Sequence, residues 1–149
     1  MKMSLKEMKK YKIGYTTGVF DLFHVGHLNI LKSAKEQCDY LIVGVSTDEL
    51  VKEYKNKNPV IPFEERKQIV EAIKYVDEVV PQENRDKLEA FLNLKFDVMF
   101  VGDDWKESSL FIETERKFKE IGVDLIFFPY TKGTSSTKLS QALNEIIFQ

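Results

Sequence analysis

The only two histidines of the 149-residue chain lie three residues apart, within Thr17-Gly18-Val19-Phe20-Asp21-Leu22-Phe23-His24-Val25-Gly26-His27. At a helix start this spacing puts both imidazoles on one face, where they can grip a single anion. Gly26 between them adds no side-chain bulk, so a phosphate can approach the backbone, and the first-turn NH groups and helix dipole favour its charge. Two capping or packing histidines are the alternative reading of the same spacing.

A second stretch with the makings of a phosphate cradle is Tyr130, Thr131, Lys132, Gly133, Thr134, Ser135, Ser136 and Thr137, which is small, rich in hydroxyls and followed by a helical pattern. An ordinary helix cap would use the same residue types. Asp103 and Asp104 precede Trp105, the only tryptophan; ribose hydroxyls or a magnesium ion suit the acids, and a solvated turn with a packed indole is the alternative. Lys55 and Lys57 fall in a stretch from about Lys52 to Pro62 that reads as irregular, where they either meet a ligand or form a solvated charged surface. Arg66 begins a helix, where an acid would complement the dipole better, which marks it for a ligand or an ion pair. Cys38 reads as a small apolar filler.

These groups need a scaffold, and the apolar pattern predicts one. Runs rich in β-branched and aromatic residues, Lys12 to Thr16, Tyr40 to Val45, Val76 to Val80, Asp97 to Val101 and Val123 to Phe128, read as five strands. Between them, apolar residues recur at three and four residue spacing around Leu28, Ile69, Leu88 and Phe111 to Ile121, and again in the tail from Leu139 to Ile147. Strands that alternate with helices imply a Rossmann-like α/β fold: a doubly wound, five-stranded parallel sheet with helices on both faces. One domain over residues 1–149, with a core of about 11–148, is expected from the length. In such sheets ligands bind beyond the carboxyl ends of the strands, where all three polar segments fall.

Composition narrows the classes of function. The chain is 43% hydrophobic and 31% charged with a formal net charge of -2, so it has no cationic surplus for an extended nucleic-acid interface. One cysteine allows no internal disulfide, and no CxxC or Cys/His cluster points to a structural metal site. The basic start lacks an apolar signal region and no run is long enough to span a membrane, so neither secretion nor membrane insertion is expected and a cytoplasmic enzyme is.

The motifs taken together resemble the HxGH nucleotidyltransferases, and among them the cytidylyltransferases. His24-Val25-Gly26-His27 matches the signature, and Gly18 to His24, Ser46-Thr47-Asp48-Glu49, Glu65-Arg66-Lys67, Tyr75-Val76-Asp77-Glu78-Val79 and Gly102-Asp103-Asp104-Trp105 follow in the family's order from Lys12 to about Lys138. Cytidylyltransferases acting on glycerol 3-phosphate are the most similar in organisation, with those acting on choline phosphate or ethanolamine phosphate similar around Lys55 to Val80. The resemblance implies transfer of CMP from CTP, bound with Mg2+, to a phosphorylated small alcohol, in a homodimer. It also implies that Val19, Phe20, Asp21, His24, Gly26, His27 and Lys57 meet the nucleotide, that Asp104 lies by the cytidine, and that Lys55, Arg66 and Arg85 serve the substrate. His24, His27 and Lys55 are the expected catalytic groups.

Two departures stand out. Relatives typically have Arg-Thr-Glu-Gly-Ile-Ser-Thr in the last motif, and here Tyr130 replaces the arginine and Lys132 the acid. Arg85 stands where some relatives carry a tryptophan beside the acceptor. An ATP-using adenylyltransferase and a non-catalytic nucleotide-binding domain are the competing expectations.

Overall fold

Nearly continuous apolar runs with helices between them form five parallel strands, as the pattern predicts. The structure, a computed structural model, describes residues 9–102, 108–129 and 135–147. The elements run β1 (Tyr11–Gly18), α1 (Val25–Gln37), β2 (Cys38–Ser46), α2 (Asp48–Lys55), α3 (Phe63–Glu71), β3 (Glu78–Gln82), α4 (Lys87–Leu94), β4 (Val98–Gly102), α5 (Ser109–Glu120), β5 (Asp124–Phe128) and α6 (Ser136–Ile147). The strand order is β3-β2-β1-β4-β5, and every neighbouring pair is parallel. From β1 the chain builds outward on one side and then returns to the other, so the crevice between β1 and β4 is the switch point at which this fold class binds ligands.

Alternation along the central strands feeds two cores. Leu41, Val43 and Val45 of β2 face one side with Val98 and Phe100 of β4, under Leu31 and Ala34 of α1 and Val70 of α3. Ile42, Met99 and Val101 face the other side with Tyr15, under Phe91 of α4 and Phe111 and Phe118 of α5. Each core needs a helix layer, and that is what makes the sheet doubly wound. Gly44 is required by this packing, since a Cβ there would lie 2.6 Å from the Tyr15 hydroxyl.

β1 ends two residues later and β2 begins two earlier than the sequence pattern, and two further departures change the frame of the site. The stretch from Lys52 to Pro62 is not all irregular, because α2 runs through Lys55 and only residues 56–62 form the loop. The helix is set by its ends: Thr47 accepts a hydrogen bond from the Leu50 NH, Asp48 and Glu49 occupy the first turn, and Asn56 closes it in the left-handed conformation. β3 begins two residues later than expected and includes Pro81, which sits in an edge strand that pairs only with β2. Gln82 O accepts the Thr47 NH on the β2 side, so the adjacent Pro81 nitrogen faces the open edge, where no ladder bond is lost.

Candidate active site

Residues 19–24 leave β1 through a turn that its own side chains disfavour. Phe20 and Leu22 have φ of 56° and 52°, the left-handed region, at about 1 kcal/mol or more each for residues with a Cβ. Contacts from distant segments hold the turn. Phe20 is buried in the core, and Arg66 Nη1 donates to Val19 O at 2.6 Å. The Asp21 carboxylate accepts the backbone NH groups of Val60 and Ile61 at 2.8 and 2.9 Å, while Ser136 Oγ donates to Asp21 O at 2.5 Å. The turn is thereby tied to α3, to the 56–62 loop and to the start of α6.

The two histidines cap α1 reciprocally. His24 is the N-cap residue, and its Nδ1 accepts the Gly26 NH at 3.0 Å; His27 Nδ1 accepts the His24 NH at 3.2 Å. The capping and ligand readings thus coexist, because each ring uses Nδ1 for the cap. Since both Nδ1 atoms are acceptors, the hydrogen-bond network assigns the proton of each neutral ring to Nε2, the atom left to meet a ligand. The ring centroids are 4.0 Å apart, and His27 also packs against Phe20 and Phe23 at 5.4 and 5.2 Å. Burial, reinforced by His24 and opposed by Asp21, pushes the His27 pKa down to about 4, and burial lowers that of His24. At neutral pH the pair therefore offers two oriented NH dipoles with no imidazolium repulsion.

Of the two roles the sequence left open for Arg66, the structure shows the ion pair, with Asp48, in place of the expected substrate contact. Its side chain has 0% exposure, and Nε donates to Ile61 O at 2.8 Å, Nη1 to Val19 O at 2.6 Å and Ser46 O at 2.8 Å, and Nη2 to Asp48 Oδ1 at 2.6 Å. Four segments claim the guanidinium, so it positions the site and does not reach substrate. Glu64 and Glu65 supply the acids that the α3 dipole favours.

Four cations come from elements meeting at the carboxyl edge. Lys55 ends α2 and Lys57 lies in the exposed part of the following loop. The Lys55 pKa is lowered by burial and then by Lys57, with Asp21 opposing. Arg85 lies with its guanidinium carbon 4.9 Å from the Tyr54 ring centroid. The fourth, Lys87, was not singled out from sequence. It is the first residue of α4, 6% exposed, with Nζ 3.5 Å from Thr17 Oγ1 at the end of β1. Burial, then Arg85, push its pKa down to about 8 against the opposing charge of Asp86. A cation in the first turn of a helix, where the dipole opposes it, is the sequence signal that could have found it.

Ser135 Oγ accepts the Lys138 NH at 3.0 Å, which caps α6, and the Ser136 hydroxyl goes to Asp21 O; Thr137 is exposed in the first turn. The expectations for Asp104, Tyr130, Thr131, Lys132, Gly133 and Thr134 lie outside the described residues. Among the described residues, no group of three or more His, Cys, Asp or Glu could hold a metal ion. Among them also, no helix is long and apolar enough to cross a membrane.

Comparison with known proteins shows the family. The cytidylyltransferase-like family model matches residues 15–142. The chain is 37% identical over 129 residues to glycerol-3-phosphate cytidylyltransferase of Bacillus subtilis (strain 168), covering 86% of this chain and 94% of that protein. The same enzyme of Staphylococcus aureus is 38% identical, with coverages of 86% and 92%, and an FAD synthase of Thermococcus sibiricus is 38% identical, with coverages of 93% and 95%. Among solved structures, the lipopolysaccharide core biosynthesis protein from Thermoplasma volcanium is similar at a TM-score of 0.68 and 26% identity, covering 83% of this chain and 99% of that one. With two histidines capping one helix at the carboxyl edge of the sheet and a family match over most of its length, the chain belongs to the cytidylyltransferase-like family of nucleotidyltransferases.

Proposed function

We propose that the chain transfers CMP from CTP to glycerol 3-phosphate, giving CDP-glycerol and pyrophosphate. The observation that carries this reading is the reciprocal His24–His27 cap, which leaves two neutral Nε2–H donors at the carboxyl edge of the sheet, the edge from which Lys55 and Lys87 also come. The relatives named glycerol-3-phosphate cytidylyltransferase, at 37% to 39% identity over most of the chain, support the choice of substrates.

In this mechanism a phosphate oxygen of the acceptor attacks the α-phosphorus of CTP in line. The new bond is O–Pα, the bond from Pα to the bridging oxygen breaks, and its electron pair leaves with pyrophosphate. The acceptor phosphate is already an anion, so no general base is needed, and catalysis rests on alignment and charge stabilisation. His24 and His27 donate to the α-phosphate and the leaving oxygen. Lys55 neutralises the reacting phosphates and Lys57 the nucleotide; Val19, Phe20 and Gly26 line the nucleotide side. Lys87, a buried cation at the start of α4 beside Thr17, receives the acceptor phosphate. Asp104 and residues 130–137 complete the reading as contacts to the cytidine and the outgoing pyrophosphate. Magnesium carried on the triphosphate would neutralise further charge there.

The same reading extends to a cytoplasmic homodimer, supported by the buried free Cys38 and by the exposed apolar residues Ile146 and Ile147 of α6, at 70% and 67% exposure. Sedimentation at the mass of one chain would sink the dimer.

The decisive assay follows pyrophosphate release with CTP and glycerol 3-phosphate, with CDP-glycerol identified by mass. The FAD synthase relative makes ATP with FMN the necessary competing pair. Faster release with ATP and FMN would replace the cytidylyl reading with an adenylyl one, and tight CTP binding without turnover would replace both with a nucleotide-binding domain.

A further inference from the structure

Asp21 lies between Phe20 and Leu22, whose φ of 56° and 52° place both in the left-handed region. Such backbone persists only where its surroundings over-determine it, and at Asp21 three bonds from distant segments contribute to that. Its carboxylate accepts the consecutive NH groups of Val60 and Ile61 at 2.8 and 2.9 Å, from 39 and 40 residues away, and its carbonyl oxygen accepts the Ser136 hydroxyl at 2.5 Å. The first two bonds are charge-assisted, and they fall on a loop whose residues 56–58 are exposed.

The backbone of Ile61 is held from both sides. Its NH goes to Asp21 and its carbonyl oxygen accepts Arg66 Nε at 2.8 Å, while Arg66 Nη1 reaches back to Val19 O in the turn that carries Asp21. Lys57 stands three residues before Val60 on the same loop, and Lys55 ends the helix before it. The Asp21 charge also acts on Lys55 and on His27, in each case opposing the fall in pKa that burial causes. Asp21 therefore touches the loop that carries Lys57 and the start of α6 from within the turn that leads to His24. A residue so placed sets the spacing between groups that hold a phosphate without meeting the phosphate itself.

Building on the cytidylyltransferase reading above, we infer that Asp21 is a positioning residue: by latching the backbone at Val60 and Ile61 to the histidine turn, it fixes where Lys57 stands relative to His24 and His27. It acts through the loop, not by contact with the nucleotide. Arg66 ties the same segments from a fully buried position, where its removal costs the fold. Asp21 is only half-buried, so its loss is expected to show in kinetics more than in stability. Displacing a phosphate-binding group by about 1 Å is enough to cost about 10²-fold in rate.

Two measurements test this. In amide hydrogen exchange of the wild type without substrate, corrected for intrinsic rates, Val60 and Ile61 should be protected about tenfold or more relative to Lys57 and Asn58. Asp21→Asn should bring the four together, because asparagine keeps one acceptor oxygen but sets its NH2 against the second NH. The wild-type measurement needs no variant, so it decides even where Asp21→Asn does not fold. The second compares kcat/KM for CTP, with glycerol 3-phosphate as acceptor, in wild type, Asp21→Asn, Lys57→Ala and the double variant, with circular dichroism checking the fold of each. Asp21→Asn is expected to lower it by about 10²-fold. Lys57→Ala should cost about tenfold in the wild type and about twofold or less once the loop is unlatched. Lys57 is the reporter because the Asp21 charge acts directly on Lys55, which would couple those two without the loop. Equal costs of Lys57→Ala in the two backgrounds, or wild-type Val60 and Ile61 amides that exchange as fast as Lys57 and Asn58, overturn the inference while CMP transfer stands. Absence of CMP transfer by the wild type overturns it together with the reading beneath it.

Discussion

His27 Nδ1 accepts the backbone NH of His24 at 3.2 Å while His24 Nδ1 accepts that of Gly26, so the two histidines begin their own helix with one ring atom and keep Nε2 for the role proposed above. On that proposal, replacing either ring removes a cap and a catalytic donor together. For His27→Ala, a stability loss of about 1 kcal/mol from the cap is expected by urea denaturation. Turnover at saturating CTP should fall by about 10²-fold or more. Near wild-type turnover would remove His27 from the transition state.

The depressed His27 pKa has a signature in pH. Its folded value of about 4 lies below the ordinary histidine value of 6.5, so between these limits the unfolded chain binds more protons. The stability this group contributes is full above about 6.5 and is lost as pH falls toward about 4, by about 3 kcal/mol at most. Denaturation of wild type and His27→Gln at pH 7 and pH 5 separates this from the carboxylates. The wild type should lose more than the variant, and equal losses would mean that His27 is not buried in its neutral form.

Lys87 sets stability against function. Its pKa is held at about 8 by burial, so below that pH the fold carries a desolvated cation whose cost declines as pH rises toward 10.5. Lys87→Met should leave the fold as stable or more stable at pH 7. With the acceptor phosphate unpaired, kcat/KM for glycerol 3-phosphate should drop by about 10²-fold, with CTP binding little changed. A variant that is less stable and equally active would make Lys87 a structural residue.

Arg66→Lys is expected to be nearly as damaging as Arg66→Met. An ammonium has no planar fork with which to reach Val19 O, Ser46 O, Ile61 O and Asp48 together. A loss of about 3 kcal/mol or more in denaturation is expected for Arg66→Met. A loss below about 1 kcal/mol would show the clamp to be dispensable.

What could be read from sequence follows the range of the interactions. The central strands were legible because burial on both faces leaves an apolar run with nothing polar in it, as in Leu41 to Val45. The eight-residue α2 was not, because two turns are too short for a periodic stripe; only its ends, Thr47 and Asn56, announce it. β3 starts late because Val76 is drawn into a turn by its bond to Ile73 O, while the Asp77 carboxylate accepts the Leu41 NH.

The site divides in the same way. Two histidines around a glycine after a strand are a local pattern. Arg66 was visible as an anomaly, but its partners Val19 and Ser46 lie 47 and 20 residues away, and only the fold brings them to its guanidinium. Lys87 looks like a surface lysine in sequence; the helix and strand packed around it make it a buried one.

Pro81 has a consequence for the protein in concentrated solution. A strand added to the outer side of β3 would need a donor from the backbone at Pro81, and none exists there. That border of the sheet is closed to growth by one ring, and chains meeting side by side cannot propagate a shared sheet through it. Pro81→Val would supply the missing donor on a short β-prone segment, and light scattering at high concentration should then rise where the wild type stays clear.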